Sequence, residues 1–231
     1  MSLLPAAVLF DMDGTLIDSE GLWLIAEQRT MSELGAGWDE SDQAACLGGP
    51  LERVVSYMLA RAGLEGSHGP AVEAALLGHI EGLFLSEPLI WRPGALELLG
   101  EARELGIPSA LVTASWRRLI DAVHASMVRE FGSDPFDVII GGDEVEQSKP
   151  HPAPYLRAAE CLGVPVARCL AIEDSPTGIA AAVASGAGVV AVPHLAAAPD
   201  LPGVVVRDTL AGCDLAGLWA LVAAQGSSGS A

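Results

Sequence analysis

The amino-acid sequence predicts an α/β protein built on a doubly wound parallel sheet. Short runs of consecutive apolar residues predict buried parallel strands, because both faces of such strands are covered by helices. The runs are AAVLF (6–10), SALVT (109–113), DVIIG (137–141), CLAIE (169–173) and GVVAV (188–192), with VVV (204–206) as a further edge strand. Helical patterns lie between the later runs, at 94–105, 117–127, 152–162 and 176–185. This alternation of strand and helix is typical of a sheet with helices on both faces.

The stretch from residue 19 to residue 87 interrupts the alternation. It contains no convincing strand pattern and reads as amphipathic helices at about 19–34, 39–46, 51–62 and 70–86. Because a strand-to-helix connection usually spans only a few residues, so long an insertion predicts a second, helical domain. We therefore expect a Rossmann-like core formed by residues 1–17 and 91–225. An α-helical cap would be inserted into it at 18–90, and a flexible Gly/Ser tail would follow at 226–231.

The composition excludes several classes of protein. The 231 residues carry 30 acids against 12 bases, a formal charge of -18, which argues against nucleic-acid binding because that requires an excess of Lys and Arg. An anionic ligand would need a local positive site, since the overall field repels it. The four cysteines form no CxxC pair and predict free thiols in a reducing cytoplasm. Neither a signal peptide nor an apolar run of about 20 residues is present, so we expect a cytoplasmic protein with no membrane partner.

Chemically distinctive residues stand where the predicted strands end. In chain order they are Asp11, Asp13, Thr113, Ala114, Ser115, Lys149, Glu173 and Asp174. The carboxyl ends of parallel strands meet at one edge of the sheet, where open α/β sheets bind ligands. Neighbouring carboxylates repel one another unless a cation lies between them, and Mg²⁺ prefers oxygen ligands. A lysine beside the metal would complete a site for a phosphoryl group.

Four segments resemble, in order, the four motifs of the haloacid dehalogenase superfamily of aspartate-dependent phosphotransferases. The segments are DMDGT, the apolar run ending at Thr113, Lys149-Pro150, and EDSPTGIAAAVASG at 173–186. The helical insert resembles the cap of the subgroup that contains phosphoglycolate phosphatase, sugar-phosphate phosphatases and beta-phosphoglucomutase. One sequence departure is KPHPAPY, where relatives often carry an acid in place of Ala153 near a helix start. Its loss bears on local stability through the helix dipole.

The resemblance implies a role for each motif residue. Asp11 would be the nucleophile that forms an aspartyl-phosphate, and Asp13 would be the general acid and base. The phosphoryl oxygens would be held by Thr113, Ala114 and Lys149. Magnesium would be bound by Asp11, the backbone carbonyl of Asp13, Asp174 and, directly or through water, Glu173. Structural interpretations remain beside these: Thr113 as a strand end, Lys149 as a surface residue, and Glu173 or Ser175 as caps of the following helix.

The resemblance also narrows the reaction. Dehalogenating relatives lack an acid at the Asp13 position, and the phosphonate-cleaving branch uses a cap lysine, whereas residues 18–90 contain none. We expect hydrolysis of a small phosphorylated metabolite, a sugar phosphate or similar phosphomonoester, by a monomer. A beta-phosphoglucomutase-like mutase is the alternative, and a non-catalytic phosphate-binding module is a third. Candidate residues of the substrate pocket are Trp23, Gly49, Arg53, Ser115 and Arg117.

Overall fold

Six strands form one parallel sheet in the computed structural model, which describes residues 3–46 and 51–228. The strands are β1 (Ala7–Phe10), β2 (Ser109–Val112), β3 (Val138–Ile140), β4 (Cys169–Glu173), β5 (Gly188–Ala191) and β6 (Val204–Val206). Their order across the sheet is β3-β2-β1-β4-β5-β6, which is the doubly wound order. Every apolar run that predicted a strand contains one, and the predicted fold class is confirmed.

Eight helices of the described residues follow the sequence patterns closely, and the last one along the chain has no predicted counterpart. The helices are α1 (Glu20–Glu33), α2 (Glu40–Cys46), α3 (Leu51–Ala62), α4 (Gly69–Ser86), α5 (Ala95–Glu104), α6 (Arg117–Phe131), α7 (Ala153–Leu162), α8 (Pro176–Ser185) and α9 (Leu215–Ser228). Two 3₁₀ turns, Gly66–His68 and Val166–Arg168, complete the set for the described residues. None of these helices combines the length and the apolar character that crossing a bilayer requires.

Burial explains why the central strands read as unbroken apolar runs. All residues of β1, β2 and β4 are buried, because helices cover both faces of this part of the sheet. The register pairs Leu9 of β1 with Ala110 of β2 on one side and Ala171 of β4 on the other. Tyr155 and Ile179, from α7 and α8, are fully buried members of the core that packs on one face of these strands. The carboxyl ends of β1 and β4 are thereby fixed side by side.

The chain divides into two compact units. The first contains the sheet and comprises Met1–Asp18, Leu89–Ile120 and Met127–Ala231; the second comprises Ser19–Pro88 and Asp121–Ser126. Within the second unit α1 packs against α4, and α3 also packs against α4. Fully buried apolar side chains from these helices, such as Met31, Met58 and Ile80, form its core. The assignment of this unit as a cap stays a prediction.

Two local expectations differ from the structure. Helix α9 extends to Ser228, so the first part of the segment predicted to be a flexible tail is helical, whereas residues 229–231 lie outside the described residues. The alanine- and leucine-rich sequence before it, LAGLWALVAA, favours continuation of a helix. Ser19 stands at the N-terminus of α1, a position where serine commonly predicts a helix cap, but its side chain makes no capping hydrogen bond.

Candidate active site

Three carboxylates meet at the carboxyl ends of β1 and β4. Asp11 directly follows β1, and its backbone N–H donates to the carbonyl of Ile172, 3.0 Å away. Parallel pairing of the two strands brings Asp11 beside Glu173, the last residue of β4, and Asp174 follows. Ligand oxygens from the three side chains lie within 4.8 Å of one another, and all three residues are buried. The sheet topology thus assembles acids that are far apart in sequence.

Lys149 supplies the positive charge of this cluster. Its Nζ donates to Asp11 Oδ1 and to Glu173 Oε1, each at 2.6 Å, and to the backbone carbonyl of Val112 at 2.8 Å. The side chain is only 3% exposed. Burial alone would lower the pKa of Lys149, but the charges of Asp11 and Glu173 outweigh it and raise that pKa above its ordinary value. The side chain is therefore an ammonium at neutral pH, and a surface location for Lys149 is excluded.

Glu173 is fully buried, and both of its carboxylate oxygens accept hydrogen bonds. Its Oε1 accepts from Lys149 Nζ and from the Tyr155 hydroxyl at 2.7 Å. Its Oε2 accepts from the backbone N–H of Asp174 at 3.1 Å, and from both the N–H and the hydroxyl of Ser175 at 3.2 Å. Gly178 leaves room for this carboxylate, because a Cβ there would lie 1.8 Å from Oε1.

Helix α8 begins beside this carboxylate. The side chain of Ser175 accepts a hydrogen bond from the N–H of Gly178, which is the geometry of a helix N-cap. The expected capping role of Ser175 is thus confirmed. Glu173 accepts from N–H groups just before the helix, so it also fixes the turn that connects β4 to α8.

Asp174 is held by the loop that follows β1. Thr15 Oγ1 donates to Asp174 Oδ1 at 3.2 Å. Gly14 has a φ of +82°, and a Cβ on it would lie 2.2 Å from Asp174 Oδ2, so the close approach of the two loops requires glycine. The DMDGT segment therefore positions Asp174 as well as supplying Asp11.

The cluster carries more negative than positive charge. Burial first, and then the charge of Glu173, raise the pKa of Asp11 well above its usual range, while Lys149 acts in the opposite direction. The same two causes raise the pKa of Asp174 to about 7, against the hydrogen bond from Thr15. These residues fit a divalent cation, because hard oxygen donors suit Mg²⁺ and its charge would stabilise their ionised forms. Asp11, Glu173 and Asp174 are the side chains that could hold it.

Asp13 and the segment after β2 form a second part of the site. Ser115 Oγ donates to Asp13 Oδ2 at 2.9 Å, and the N–H of Ser115 donates to Thr113 Oγ1 at 3.0 Å. Thr113 is 2% exposed, and its hydroxyl can still donate a hydrogen to a ligand. Gly142 approaches Ala114 so closely that a Cβ on Gly142 would lie 2.2 Å from the Ala114 carbonyl oxygen. Ser115, predicted as a pocket residue, thus contacts the predicted general acid directly.

The remaining pocket candidates lie in different surroundings. Arg117 begins α6; its N–H donates to Asp143 and its guanidinium lies 3.4 Å from Glu144 Oε1. Trp23 is half-buried in α1. Arg53 is exposed on α3 and donates to the carbonyl of Ala45 at 2.7 Å. Gly49 lies outside the described residues. A role for these four residues in substrate binding stays a prediction.

Two site residues were not predicted from the sequence. Thr15 stands within DMDGT, but nothing in that segment assigns its side chain to Asp174. Tyr155 stands within KPHPAPY, and its only sequence signal is that a buried tyrosine hydroxyl needs a hydrogen-bonding partner.

A doubly wound sheet with polar and charged side chains at its carboxyl edge is typical of the class of α/β proteins that bind their ligand at this position. Comparison with known proteins defines the family. Residues 8–192 match the haloacid dehalogenase-like hydrolase family, and the chain belongs to that family.

Individual relatives agree with the family match. Protein CbbY of Rhodobacter capsulatus is 35% identical over 81% of this chain and 85% of its own length. Hexitol phosphatase B of Escherichia coli K12 is 34% identical over 87% of this chain and 89% of its own length. The structure of CbbY from Rhodobacter sphaeroides with phosphate has a TM-score of 0.77 at 29% identity, covering 93% of this chain and 99% of that one. A mutant of that protein, in complex with xylulose-(1,5)bisphosphate, gives a TM-score of 0.74 at 29% identity, with the same coverage. The predicted class, an enzyme of the haloacid dehalogenase-like phosphatase subgroup, is confirmed.

Proposed function

We propose that the protein is a magnesium-dependent phosphatase that hydrolyses a sugar phosphate or sugar-alcohol phosphate through an aspartyl-phosphate on Asp11. The observation that carries this proposal is the position of Lys149. Its ammonium bridges Asp11 and Glu173 at the carboxyl edge of the sheet, so a positive charge stands beside the candidate nucleophile. A carboxylate can attack a phosphate dianion only where positive charge offsets their repulsion.

The proposed reaction has two steps. A carboxylate oxygen of Asp11 attacks phosphorus while the bond to the leaving oxygen breaks, and Asp13 gives its proton to that oxygen. Asp13 then takes a proton from water, whose oxygen attacks phosphorus and releases inorganic phosphate and the Asp11 carboxylate. The hydrogen bond from Ser115 keeps the Asp13 side chain oriented. Lys149 and the Thr113 hydroxyl stabilise the transferring phosphoryl oxygens, and Lys149 remains protonated throughout.

Magnesium would supply charge neutralisation to this chemistry. Asp11 and Asp174, with the backbone carbonyl of Asp13, would hold the ion. Glu173 already accepts hydrogen bonds at both oxygens, which supports an indirect role for it in metal binding.

A monophosphate is the substrate that we favour. The helical segment 18–90 contains no lysine, and Arg53 within it already donates to a backbone carbonyl. Arg117 faces Asp143 and Glu144, which would oppose a second phosphate group near it. The relative named hexitol phosphatase B supports a sugar-alcohol phosphate as the substrate. Because a CbbY mutant has been crystallised with a bisphosphate, sugar bisphosphates should be tested as substrates too. We also propose a monomer in the cytoplasm, as the sequence suggests.

Replacement of the nucleophile tests the proposed reaction. We expect Asp11→Asn to lower Mg²⁺-dependent hydrolysis of a chromogenic phosphate ester by a factor of at least about 10³, because an amide does not form the aspartyl-phosphate. Asp200→Asn, which changes an exposed aspartate, is the matched control and should retain the wild-type rate. Turnover by Asp11→Asn at the wild-type rate would contradict the proposal.

A second assay separates the phosphatase from the mutase. Purified protein would be incubated with beta-glucose 1-phosphate and a bisphosphate activator, and products would be followed by ³¹P NMR. We expect inorganic phosphate, because the helical segment offers few cations to hold a bisphosphate intermediate. Accumulation of glucose 6-phosphate would favour the mutase instead. A panel of sugar and sugar-alcohol monophosphates and bisphosphates would then identify the substrate.

A further inference from the structure

Tyr155 is a buried tyrosine that touches two charged residues of the candidate active site. It lies in the first turn of α7 and has no solvent exposure. Its hydroxyl donates to Glu173 Oε1 at 2.7 Å, and the Nζ of Lys149 lies 5.3 Å from the centre of its ring. The same side chain thus contacts an anion through its hydroxyl and a cation through its ring face.

One oxygen of Glu173 is shared between Tyr155 and Lys149. Oε1 accepts from the Lys149 ammonium at 2.6 Å as well as from the tyrosine hydroxyl. Glu173 therefore links the Tyr155 hydroxyl to the Lys149 ammonium. The Lys149 ammonium also donates to the Val112 carbonyl and to Asp11 Oδ1. The same ammonium thus contacts both Glu173 and the candidate nucleophile.

We propose that Tyr155 is a positioning residue, which holds Glu173 through its hydroxyl and supports Lys149 through its ring, so that the ammonium stays directed at Asp11. This inference rests on the proposed phosphatase function, because the ammonium is needed where charge develops on the transferring phosphoryl group. A cation above an aromatic face and a charge-assisted hydrogen bond both favour a fixed geometry.

Core packing by itself does not account for a tyrosine at this position. A phenylalanine would fill nearly the same volume and would bury no hydroxyl, so the hydroxyl is an addition whose partner is Glu173. The hydroxyl donates its hydrogen to the carboxylate of Glu173, which when ionised can only accept.

The central test is Tyr155→Phe, which removes the hydroxyl and keeps the ring. The matched control is Tyr57→Phe, because Tyr57 is the other tyrosine of the chain and also donates to a carboxylate, Asp42 Oδ1, at 3.1 Å. We expect Tyr155→Phe to lower kcat/KM for a chromogenic phosphate ester about tenfold, since a hydrogen bond to a charged group is lost. Calorimetry with inorganic phosphate and Mg²⁺ should show weaker binding by about threefold or more. Tyr57→Phe should match the wild type in both measurements.

A double substitution shows whether Tyr155 acts through Lys149. Lys149→Met should lose most of the activity by itself. If Tyr155 only positions the ammonium, Tyr155→Phe in the Lys149→Met background should change the residual rate by less than about twofold. A further tenfold loss in that background would overturn the inference, because it would show an effect independent of Lys149.

The outcomes separate this inference from the proposed function. If the wild type turns over substrate and Tyr155→Phe shows the same turnover and the same phosphate binding, the proposed role of Tyr155 is overturned and the proposed phosphatase function is not. Absence of turnover in the wild type would overturn the phosphatase, whereas phosphate binding would still test Tyr155. A thermal-unfolding midpoint of Tyr155→Phe near that of the wild type shows that the fold is retained. Reduced activity with a retained fold supports positioning and not packing.

Discussion

Glu27 is a buried carboxylate in the helical unit. It is 5% exposed, and its Oε2 accepts a hydrogen bond from Trp38 Nε1 at 2.9 Å. Burial raises the pKa of Glu27 to about 7; the hydrogen bond from Trp38 opposes this shift, and the charge of Glu20 adds to it. Between about pH 4.5 and pH 7, Glu27 is therefore protonated in the folded state and ionised in the unfolded state.

This shift predicts a stability that falls as pH rises. Because the folded-state pKa exceeds the unfolded value, the free energy of unfolding decreases between about pH 4.5 and pH 7 and stays lower above that range. We expect Glu27→Gln to lack this pH dependence. Its free energy of unfolding, relative to that of the wild type, should be higher at pH 8 than at pH 4.5 by roughly 1–3 kcal/mol. Denaturant unfolding across that pH range, with the exposed Glu52→Gln as control, measures it. Equal pH dependence of wild type and Glu27→Gln would contradict the assignment.

Helix α7 begins without an acid in its first turn. Ala153 occupies the position where relatives often carry one, and its N–H donates to His151 Nδ1 at 3.2 Å. The imidazole nitrogen therefore accepts one N–H at the helix start, but it does not supply the negative charge that an acid would bring to the helix dipole. The expected local cost of losing the acid is thus compensated only in part.

Restoring the acid should stabilise this helix. We expect Ala153→Asp to raise the free energy of unfolding by about 0.3–1 kcal/mol, because a negative charge is favourable at a helix N-terminus. The thermal midpoint should rise by about 1–4 °C at low ionic strength. Ala153→Asn has the same shape without the charge and is the control, and added salt should reduce the difference between the two variants. An Asn variant as stable as the Asp variant would refute the dipole explanation.

The excess of buried negative charge at the sheet edge should affect the stability of the whole molecule. A cation that binds the folded protein and not the unfolded chain raises the free energy of unfolding, by about 2.7 kcal/mol at a hundred times its Kd. We therefore expect millimolar Mg²⁺ to raise the thermal midpoint by several degrees relative to EDTA. Asp174→Asn should lose most of this shift, whereas Asp200→Asn should keep it. Equal midpoints in Mg²⁺ and EDTA for the wild type would contradict a magnesium site here.

Local patterns were sufficient to predict the sheet and the region of the site. Apolar runs located all six strands, because a strand covered on both faces needs no polar residue. The same topology placed Asp11, Glu173 and Asp174 at one edge, because parallel strands end together, and Lys149 reaches Asp11 and Glu173 from the loop that follows β3. The periodic patterns between residues 19 and 87 also predicted helices α1 to α4. Gly49, predicted to line the substrate pocket, lies outside the described residues.

Only the tertiary structure revealed the contacts between residues that are distant in sequence. Ser115 donates to Asp13 across 102 positions, and Thr15 donates to Asp174 across 159. Tyr155 reaches Glu173, although its position in KPHPAPY marks it only as part of a helix start. Strands and helices follow from periodic patterns that a few neighbouring residues create. A hydrogen bond between two loops depends on the register of the sheet and the rotamers of both partners, which no local pattern contains.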